Sequence, residues 1–421
     1  MTSRDRVRAA LQHREADRIP VDFGACATTG IHVGVVYQLR QAYGLDTPGT
    51  PVKVTEPYQM LGEIAPDLMD CLGIDVVGLS GPRNLFGFAN EGWKEWRLND
   101  GTPVLVPRLF NIATEPNGDV LQYPEGDKTA PPSGRMPAGG FYFDSLIRQP
   151  PIDDDHLDPN NNLEEFTPIT DADLNHFAGE ADRLYKTTDK AILANFGGTA
   201  FGDIALVPAP FLKNPKGIRD IEEWYVSTVS RQDYVHAVFS KQCETGIANL
   251  ARIHDKVGNK IEAVFTTGAD FGTQNGPFLS TPLYRSLFMP YHKAVNDWIH
   301  AHTTWKAFIH SCGSIQALIP DFIEAGFDIL NPVQCSAMGM EPQALKSSFG
   351  AQLVFWGGGV DTQKTLPFGT PEAVAREVES RIRIFGRNGG FVYNAIHNIQ
   401  AKTPTANLMA MFDTLRKTGI G

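Results

Sequence analysis

A histidine and a cysteine two positions apart are the residues of this chain best suited to metal chemistry. His310 and Cys312 come at the end of an apolar run, Lys306–His310, that is typical of a buried strand. Alternate residues of an extended segment share one face, so the imidazole and the thiol are expected to point the same way. Both are good zinc ligands, and a catalytic zinc takes three protein ligands with one position left open. A buried thiol beside a hydrogen-bonded histidine is the alternative interpretation.

Two residues are candidates for a third ligand. His397 follows the last apolar run of the chain, and Cys335 follows the run after that of His310. His397 could instead hydrogen-bond a substrate without any metal, and Cys335 could be a small core residue. The residues alone therefore leave three alternatives open: His397 as the third ligand, Cys335 in that place, or no third ligand.

Polar side chains also follow the other apolar runs of the second half. Asp270 and Asp361 are predicted, together with His397, to be catalytic, as acid/base groups or as groups that orient metal ligands. The amide side chains predicted to bind a substrate are Gln274, Asn331, Gln363 and Asn398.

The elements that must position these residues alternate regularly from about residue 190. Helical patterns separate the apolar runs, which indicates a parallel sheet covered on both faces. With two further strands predicted at 18–24 and 75–79, the count reaches eight. The pattern predicts one α/β domain over 1–421, a (β/α)8 TIM barrel whose site lies at the carboxyl ends of the strands. The six regular runs are Ala191–Phe196, Ile261–Thr266, Lys306–His310, Asp328–Leu330, Leu353–Gly357 and Gly390–Asn394.

The stretch 82–173 has a different composition. It is rich in Gly, Pro, Asn and Asp, with short aromatic segments such as Glu91–Trp96. We interpret it as hairpins and loops inserted into the barrel, because linkers rarely carry so many aromatic residues. It is expected to act as a lid or as an oligomer contact, so a homodimer is one expected assembly.

Composition excludes several classes of partner. Among 421 residues, 37 Lys and Arg face 48 Asp and Glu, a net charge of −11, which argues against binding to nucleic acid or an anionic membrane. Five irregularly spaced cysteines do not form a disulfide framework and fit a reducing cytoplasm. No secretory leader, no membrane-spanning run and no phosphate-binding glycine motif is expected from the pattern.

Several motifs together resemble the uroporphyrinogen decarboxylase (URO-D) superfamily, and in particular its branch of cobalamin-linked methyltransferases. The match covers both ends of the chain and most of its second half. The motifs are Arg6–Leu11 with Asp17–Val21, Gly268–Gly276, His310–Ser314, Asp328–Pro332, Phe355–Gln363, Gly369–Pro371, and Asn394–Gln400 with Thr403 and Pro404.

The resemblance implies a TIM barrel and, in that branch, a zinc held by H-x-C and a distant cysteine. His310 and Cys312 match the first two ligands, whereas the position of the distant cysteine falls on His397. The implied function is a zinc-dependent transfer of a methyl group between a small molecule and a separate corrinoid (cobalamin) protein. The chain has no D-x-H-x-x-G segment of its own that would bind the corrinoid.

Two alternatives to methyl transfer are kept. One is a carbon–carbon lyase, a decarboxylase of a smaller acid than uroporphyrinogen. The stretch Val21–Gly30 lacks the arginines with which true uroporphyrinogen decarboxylases hold their octa-acid, which argues against that substrate. The other is a ligand-binding relative without catalytic activity.

Overall fold

The computed structural model describes residues 1–418, in which seven parallel strands form the central sheet. The strands of the chain are β1 (Val52–Glu56), β2 (Leu61–Gly62), β3 (Val76–Ser80), β4 (Lys94–Arg97), β5 (Pro103–Val106), β6 (Ala113–Thr114), β7 (Val120–Gln122), β8 (Gly134–Met136), β9 (Asp144–Ser145), β10 (Ala191–Asn195), β11 (Ala263–Thr267), β12 (Lys306–His310), β13 (Ile329–Asn331), β14 (Val354–Trp356) and β15 (Phe391–Val392). The helices are α1 (Ser3–Leu11), α2 (Val33–Ala42), α3 (Pro66–Leu72), α4 (Asp171–Thr187), α5 (Ile221–Ser230), α6 (Gln232–Val257), α7 (Thr281–Leu287), α8 (Met289–His302), α9 (Ile319–Glu324), α10 (Pro342–Phe349), α11 (Thr365–Phe368), α12 (Pro371–Phe385) and α13 (Thr405–Lys417).

The central sheet has the order β15-β14-β13-β12-β11-β10-β3, and every neighbouring pair in it is parallel. An extended segment near Val21 bridges its two edges. Asp22 N–H donates to the Tyr393 carbonyl after β15 (2.9 Å), and Asp75 N–H donates to the Val21 carbonyl before β3 (2.7 Å). The sheet therefore closes into a barrel with this segment in the eighth position, which confirms the α/β barrel predicted from the alternation of runs.

The barrel has an apolar interior separate from the layer beneath its helices. Val76, Leu193, Phe308 and Trp356 belong to one inner cluster, in which side chains of α1 also take part. Val7, Ala10 and Leu11 of α1 pack into this cluster. Helix α1 thus covers one end of the barrel, and the polar strand endings lie at the other.

Two small sheets flank the open end. The first has the order β2-β1-β5-β4 and the second the order β6-β7-β8-β9. Most of their strands fall within the stretch 82–173, but β1 and β2 precede β3 and join the first sheet through the parallel β1–β5 pair. Tyr58, Tyr142 and Asp144, from these regions, line the cavity described below. The lid and oligomer-contact roles of 82–173 stay predictions, as does its status as an insertion.

None of the helices within 1–418 combines the length and apolar character that crossing a bilayer requires.

Candidate metal centre and substrate cavity

A cavity of about 710 Å³ opens at the carboxyl ends of the barrel strands. His310, His397 and Asp270, all predicted from the sequence as site residues, line it together with residues of the two small sheets. This is where the active sites of TIM barrels lie, because loops after the strands converge there. The cavity is therefore the candidate functional site.

His310 is held in one orientation and one tautomer by Asn331. The two residues are paired across β12 and β13, and their side chains are joined by a 2.6 Å hydrogen bond between His310 Nδ1 and Asn331 Oδ1. Asn331 Nδ2 donates to the Trp356 carbonyl (2.7 Å), so Oδ1 must accept and Nδ1 must carry the proton. Nε2 of His310 keeps its lone pair for a ligand. Burial lowers the pKa of His310, which favours this neutral form.

Cys312 lies beside the free nitrogen of His310. Its Sγ is 3.4 Å from His310 Nε2, and its backbone N–H donates to Asp270 Oδ1 over 2.6 Å. Burial raises the pKa of the thiol well above its ordinary value, and the nearby Asp270 carboxylate adds to this effect. The thiolate, which is the form that binds metals, consequently needs a cation at this place.

His397 faces His310 across the site. The two rings have centroids 5.4 Å apart in an edge-on arrangement. Burial, and to a smaller extent His310, lowers the pKa of His397 to about 3. Within residues 1–418 no group hydrogen-bonds to its ring, so a neutral imidazole is left without a protein partner.

The donor set of His310, Cys312 and His397 fits a zinc ion. One ligand atom from each lies within 4.8 Å of the other two. Ligands of a single tetrahedral zinc are about 3.5 Å apart, so small side-chain rotations bring these three donors onto one ion. Two imidazoles and one thiol form a three-ligand set that leaves a fourth position for a substrate.

Cys335 does not belong to this donor set. Its Sγ contacts the carbonyl oxygen of Val333 at 3.3 Å and that of Gly358 at 3.9 Å. Of the three alternatives left open for the third ligand, the geometry favours His397.

Comparison with known proteins supports the barrel and its family. The model of the uroporphyrinogen decarboxylase (URO-D) family matches residues 207–418, half of the chain. The chain belongs to the URO-D family. The predicted superfamily is thereby confirmed. No curated protein matches the chain.

A methyltransferase from Methanosarcina mazei is among the solved structures similar to this URO-D family member. The two share 14% sequence identity over 99% of each chain, with a TM-score of 0.57. At this level of identity the likeness concerns the fold alone, and it extends over the entire barrel and both small sheets.

Asp270, the predicted acid/base residue, does lie at the site of this URO-D protein. Its Oδ1 is 3.8 Å from His310 Nε2 and accepts the Cys312 N–H. The carboxylate thus fixes the backbone of one candidate ligand while it faces the other. Its side chain also lines the cavity, within reach of a substrate.

Asp361 is placed elsewhere. Its Oδ1 accepts the backbone N–H groups of Gln363 (2.6 Å) and Lys364 (3.1 Å), and neither Asp361 nor Gln363 lines the cavity. Gln363 is exposed. The structure therefore uses Asp361 to cap the turn before α11 and does not bring this pair together with the donor set.

The other three predicted amides support the walls of the site. Asn331 orients His310, as described above. Gln274 accepts from the Gln334 side chain (3.2 Å), and Asn398 donates to the Ala27 carbonyl (2.7 Å) and to Gln59 Oε1 (2.6 Å). Gln274 and Asn398 do not line the cavity themselves. They connect loops around the site, and Asn398 does so through Gln59, which does line it.

Sequence reasoning missed one carboxyl group of this cavity. Asp203 lies in the long loop between β10 and α5, and its side chain is buried against the cavity. Burial raises the pKa of Asp203 to about 7, and Asp270 adds to the shift. A signal that could have found it is the glycine-rich segment Gly197–Gly202 directly before it, because glycines at a strand end let the backbone approach a ligand closely.

Proposed function

We propose that this URO-D family member is a zinc-dependent methyltransferase that moves a methyl group between a small molecule and a corrinoid protein. The observation that carries the proposal is the convergence of His310, Cys312 and His397 within 4.8 Å at the cavity. Membership of an enzyme family and a methyltransferase of the same fold support it.

His310, Cys312 and His397 would hold the zinc, which supplies a Lewis acid that lowers the pKa of a thiol or hydroxyl and polarises a methylated heteroatom. With two neutral imidazoles and one thiolate, the site carries less negative charge than one with two thiolates. A less electron-rich set leaves more positive charge at the metal position, which favours binding of an anionic oxygen or sulfur donor.

The remaining residues of the site position the reacting groups. Asn331 holds His310 with its Nε2 directed to the ligand position, and Asp270 fixes the loop of Cys312. Asp270 is also the group able to take or return a proton of a thiol or hydroxyl beside the donor set. The cavity walls exclude bulk water from one side of the bound molecule.

Exposed apolar side chains on the loops after the strands support a separate protein partner. Val229 lies on α5, Phe278 follows β11, Met338 follows β13 and Phe368 ends α11, and all four are exposed. Each of the four belongs to a segment that follows a barrel strand, and an interaction surface around the cavity would need exposed apolar side chains of this kind. A corrinoid protein docked there would bring its cobalt to the cavity.

Metal content is the first test of this proposal. We expect about one zinc per chain by elemental analysis, and its loss in Cys312→Ala. Cys335→Ala is the matched control, because it removes a thiol of the same region that lies outside the donor set, and it should keep its zinc. Protein without zinc, even after incubation with excess zinc and dialysis, would contradict the proposal.

Methyl transfer itself can be followed with free methylcob(III)alamin in place of the corrinoid protein. A thiolate attacks the methyl carbon, the cobalt–carbon bond breaks, and both its electrons stay on the metal to give cob(I)alamin and a methyl thioether. Under anaerobic conditions we expect the spectrum of cob(I)alamin to appear with zinc-loaded protein and not with Cys312→Ala. Release of carbon dioxide from small carboxylic acids by metal-free protein would favour the lyase alternative instead.

A further inference from the structure

Building on the proposed function, we infer that the substrate of this cavity carries an ammonium group, bound between the Asp203 carboxylate and the Phe265 ring, a few bonds from the heteroatom that exchanges the methyl group. The inference names the chemical class of the small molecule, which neither the family nor the donor set specifies. It rests on the position of Asp203, on the charges around the cavity and on the aromatic rings beside the donor set.

Asp203 has a free carboxylate oxygen in a buried position. The residue is 8% exposed, and Oδ1 accepts the Ala205 backbone N–H over 2.9 Å. Within residues 1–418 this is the hydrogen bond that its carboxylate receives, and Oδ2 has none. This oxygen faces the cavity without a protein donor, so it can accept an N–H from a bound ligand.

The free oxygen lies over Gly268, next to an aromatic ring. A Cβ placed on Gly268 would be 2.9 Å from Asp203 Oδ2 and 3.2 Å from Cζ of Phe265. The carboxylate and the ring edge therefore border the same small space, which the absence of a side chain at position 268 keeps open. The carboxylate oxygen can accept an N–H of an ammonium group in this space, and the ring edge can make apolar contact with the CH2 groups next to that nitrogen.

Phe265 connects this space to the metal centre. Its ring stacks on that of His310 with centroids 6.4 Å apart and an angle of 23° between the planes. The Phe265 ring consequently lies between a group bound at Asp203 and the imidazole of His310. A molecule with a short chain between its ammonium nitrogen and its sulfur or oxygen would fit this arrangement.

The charges around the cavity favour a cation. Four carboxyl groups line it, and the guanidinium of Arg83 is the one permanently charged base among the lining residues described. Arg83 is largely exposed and forms an ion pair with Asp173 (3.4 Å). The acidic residues of the lining are Glu56, Asp144, Asp203 and Asp270.

Tyr225 of α5 gives a second unpartnered polar group, behind the residues that line the cavity. Its hydroxyl oxygen is buried and has no hydrogen-bond partner among the described residues. Burial raises the pKa of Tyr225 to about 12, with contributions from the charges of Asp270 and Asp203, which lie nearby. The phenol stays neutral and adds no charge that would oppose a cation at Asp203.

Binding of simple ions to metal-free protein tests the inference independently of zinc. The probes are n-butylammonium, n-butyrate and 1-butanol, followed by ligand-observed NMR titration. We expect n-butylammonium to bind at least 10-fold more tightly than the other two. Asp203→Asn should abolish this preference, whereas Asp297→Asn, which makes the same change on the exposed face of α8, should keep it. Equal binding of all three probes would overturn the inference.

A second arm uses zinc-loaded protein and the methylcobalamin assay. The acceptors are 3-aminopropanethiol, 1-butanethiol and 3-mercaptopropionate, which differ in charge at similar length. We expect the lowest KM, by at least 10-fold, for the aminothiol, and loss of that advantage in Asp203→Asn with zinc content unchanged. Transfer to all three acceptors with equal KM would refute the ammonium subsite and leave methyl transfer intact. Selective binding of n-butylammonium to a protein that takes up no zinc would refute the methyltransferase and leave the subsite intact.

Discussion

His310 Nδ1 and Asn331 Oδ1 are 2.6 Å apart, and the two residues lie opposite each other in the register of β12 and β13. The bond selects which nitrogen of His310 is free. Residues that orient metal-binding histidines in this way contribute to affinity although they do not touch the metal.

Asn331→Ala is therefore expected to weaken zinc binding about 10- to 100-fold, because the imidazole loses its fixed tautomer and orientation. Competition against a chelating dye measures the change. Asn331→Asp keeps an acceptor at the same place and should retain most of the affinity. Equal zinc affinity in Asn331→Ala and the wild type would show that the bond does not position a ligand.

The third ligand can be tested by exchange of its donor atom. His397→Ala removes a neutral imidazole that has no protein hydrogen bond, and we expect it to lower zinc affinity by about 10-fold or more. His397→Cys supplies a thiolate instead and should restore binding, with one more proton released on metal uptake. Calorimetry in buffers of different ionisation enthalpy counts that proton. Unchanged affinity in His397→Ala would exclude this residue from the donor set.

Asp203 makes the stability of the protein depend on pH. Burial raises its pKa to about 7, so the folded protein keeps a proton that the unfolded chain releases above about pH 4. Its carboxyl group therefore contributes full stability below pH 4, and this contribution decreases as pH rises to 7. Asp203→Asn does not titrate, and relative to the wild type it should gain on the order of 4 kcal/mol between pH 4 and pH 8.

Urea denaturation at several pH values gives the difference, with Asp297→Asn as the control of unchanged slope. The difference in unfolding free energy between Asp203→Asn and the wild type should therefore change with pH. A difference that stays constant would show that the pKa of Asp203 is not raised by burial.

Gly268→Ala probes the space between Asp203 and Phe265. The new Cβ would be 2.9 Å from Asp203 Oδ2, so the carboxylate must move. Crowding of this kind costs about 1–3 kcal/mol, and we expect KM for 3-aminopropanethiol to rise roughly 10-fold at unchanged zinc content. Gly179→Ala, on α4 with no atom near the new methyl group, should leave KM unchanged. A KM in Gly268→Ala equal to that of the wild type would place the ligand elsewhere.

Closure of the barrel depends on Asp75. This fully buried carboxylate pairs with Arg6 (2.6 Å) and Arg18 (2.7 Å) and accepts the Val21 N–H (2.9 Å). Asp75→Asn leaves the Arg6 guanidinium with the exposed Asp17 (2.7 Å) as its remaining counter-charge, so the loss should lie near the lower end for a broken buried pair, about 3 kcal/mol of unfolding free energy. Asp413→Asn, at an exposed ion pair with Arg416, should cost less than about 1 kcal/mol in the same denaturation experiment.

Much of the barrel and of the donor set could be predicted because both follow from the alternation of strands and helices. Strand endings far apart in sequence share one rim, and this alone brings His397 to His310. Helix breaks were harder to predict: the continuous helical pattern 221–257 ends and restarts at Arg231, where the backbone leaves the helical region.

The alternation of strands and helices does not predict the direction in which a side chain points after its strand ends. Asp270 and Asp361 both follow barrel strands, yet the first faces the cavity and the second caps a turn. Cys335 was one alternative for the third ligand, and its Sγ lies instead against backbone carbonyls. Asp203 escaped notice because it lies in an irregular loop, where no periodicity indicates which residues turn inward.

The closure of one barrel end by α1 affects the order in which the reactants can bind. Val7, Ala10 and Leu11 close the end of the barrel that lies away from the site, so a molecule reaches the cavity from the end where the polar strand endings lie. Under the proposed function, the small molecule next to His310 would lie at the bottom of the cavity, and a docked corrinoid protein would cover the opening above it. Binding should follow a compulsory order, in which the small molecule enters first and its methylated or demethylated form leaves last.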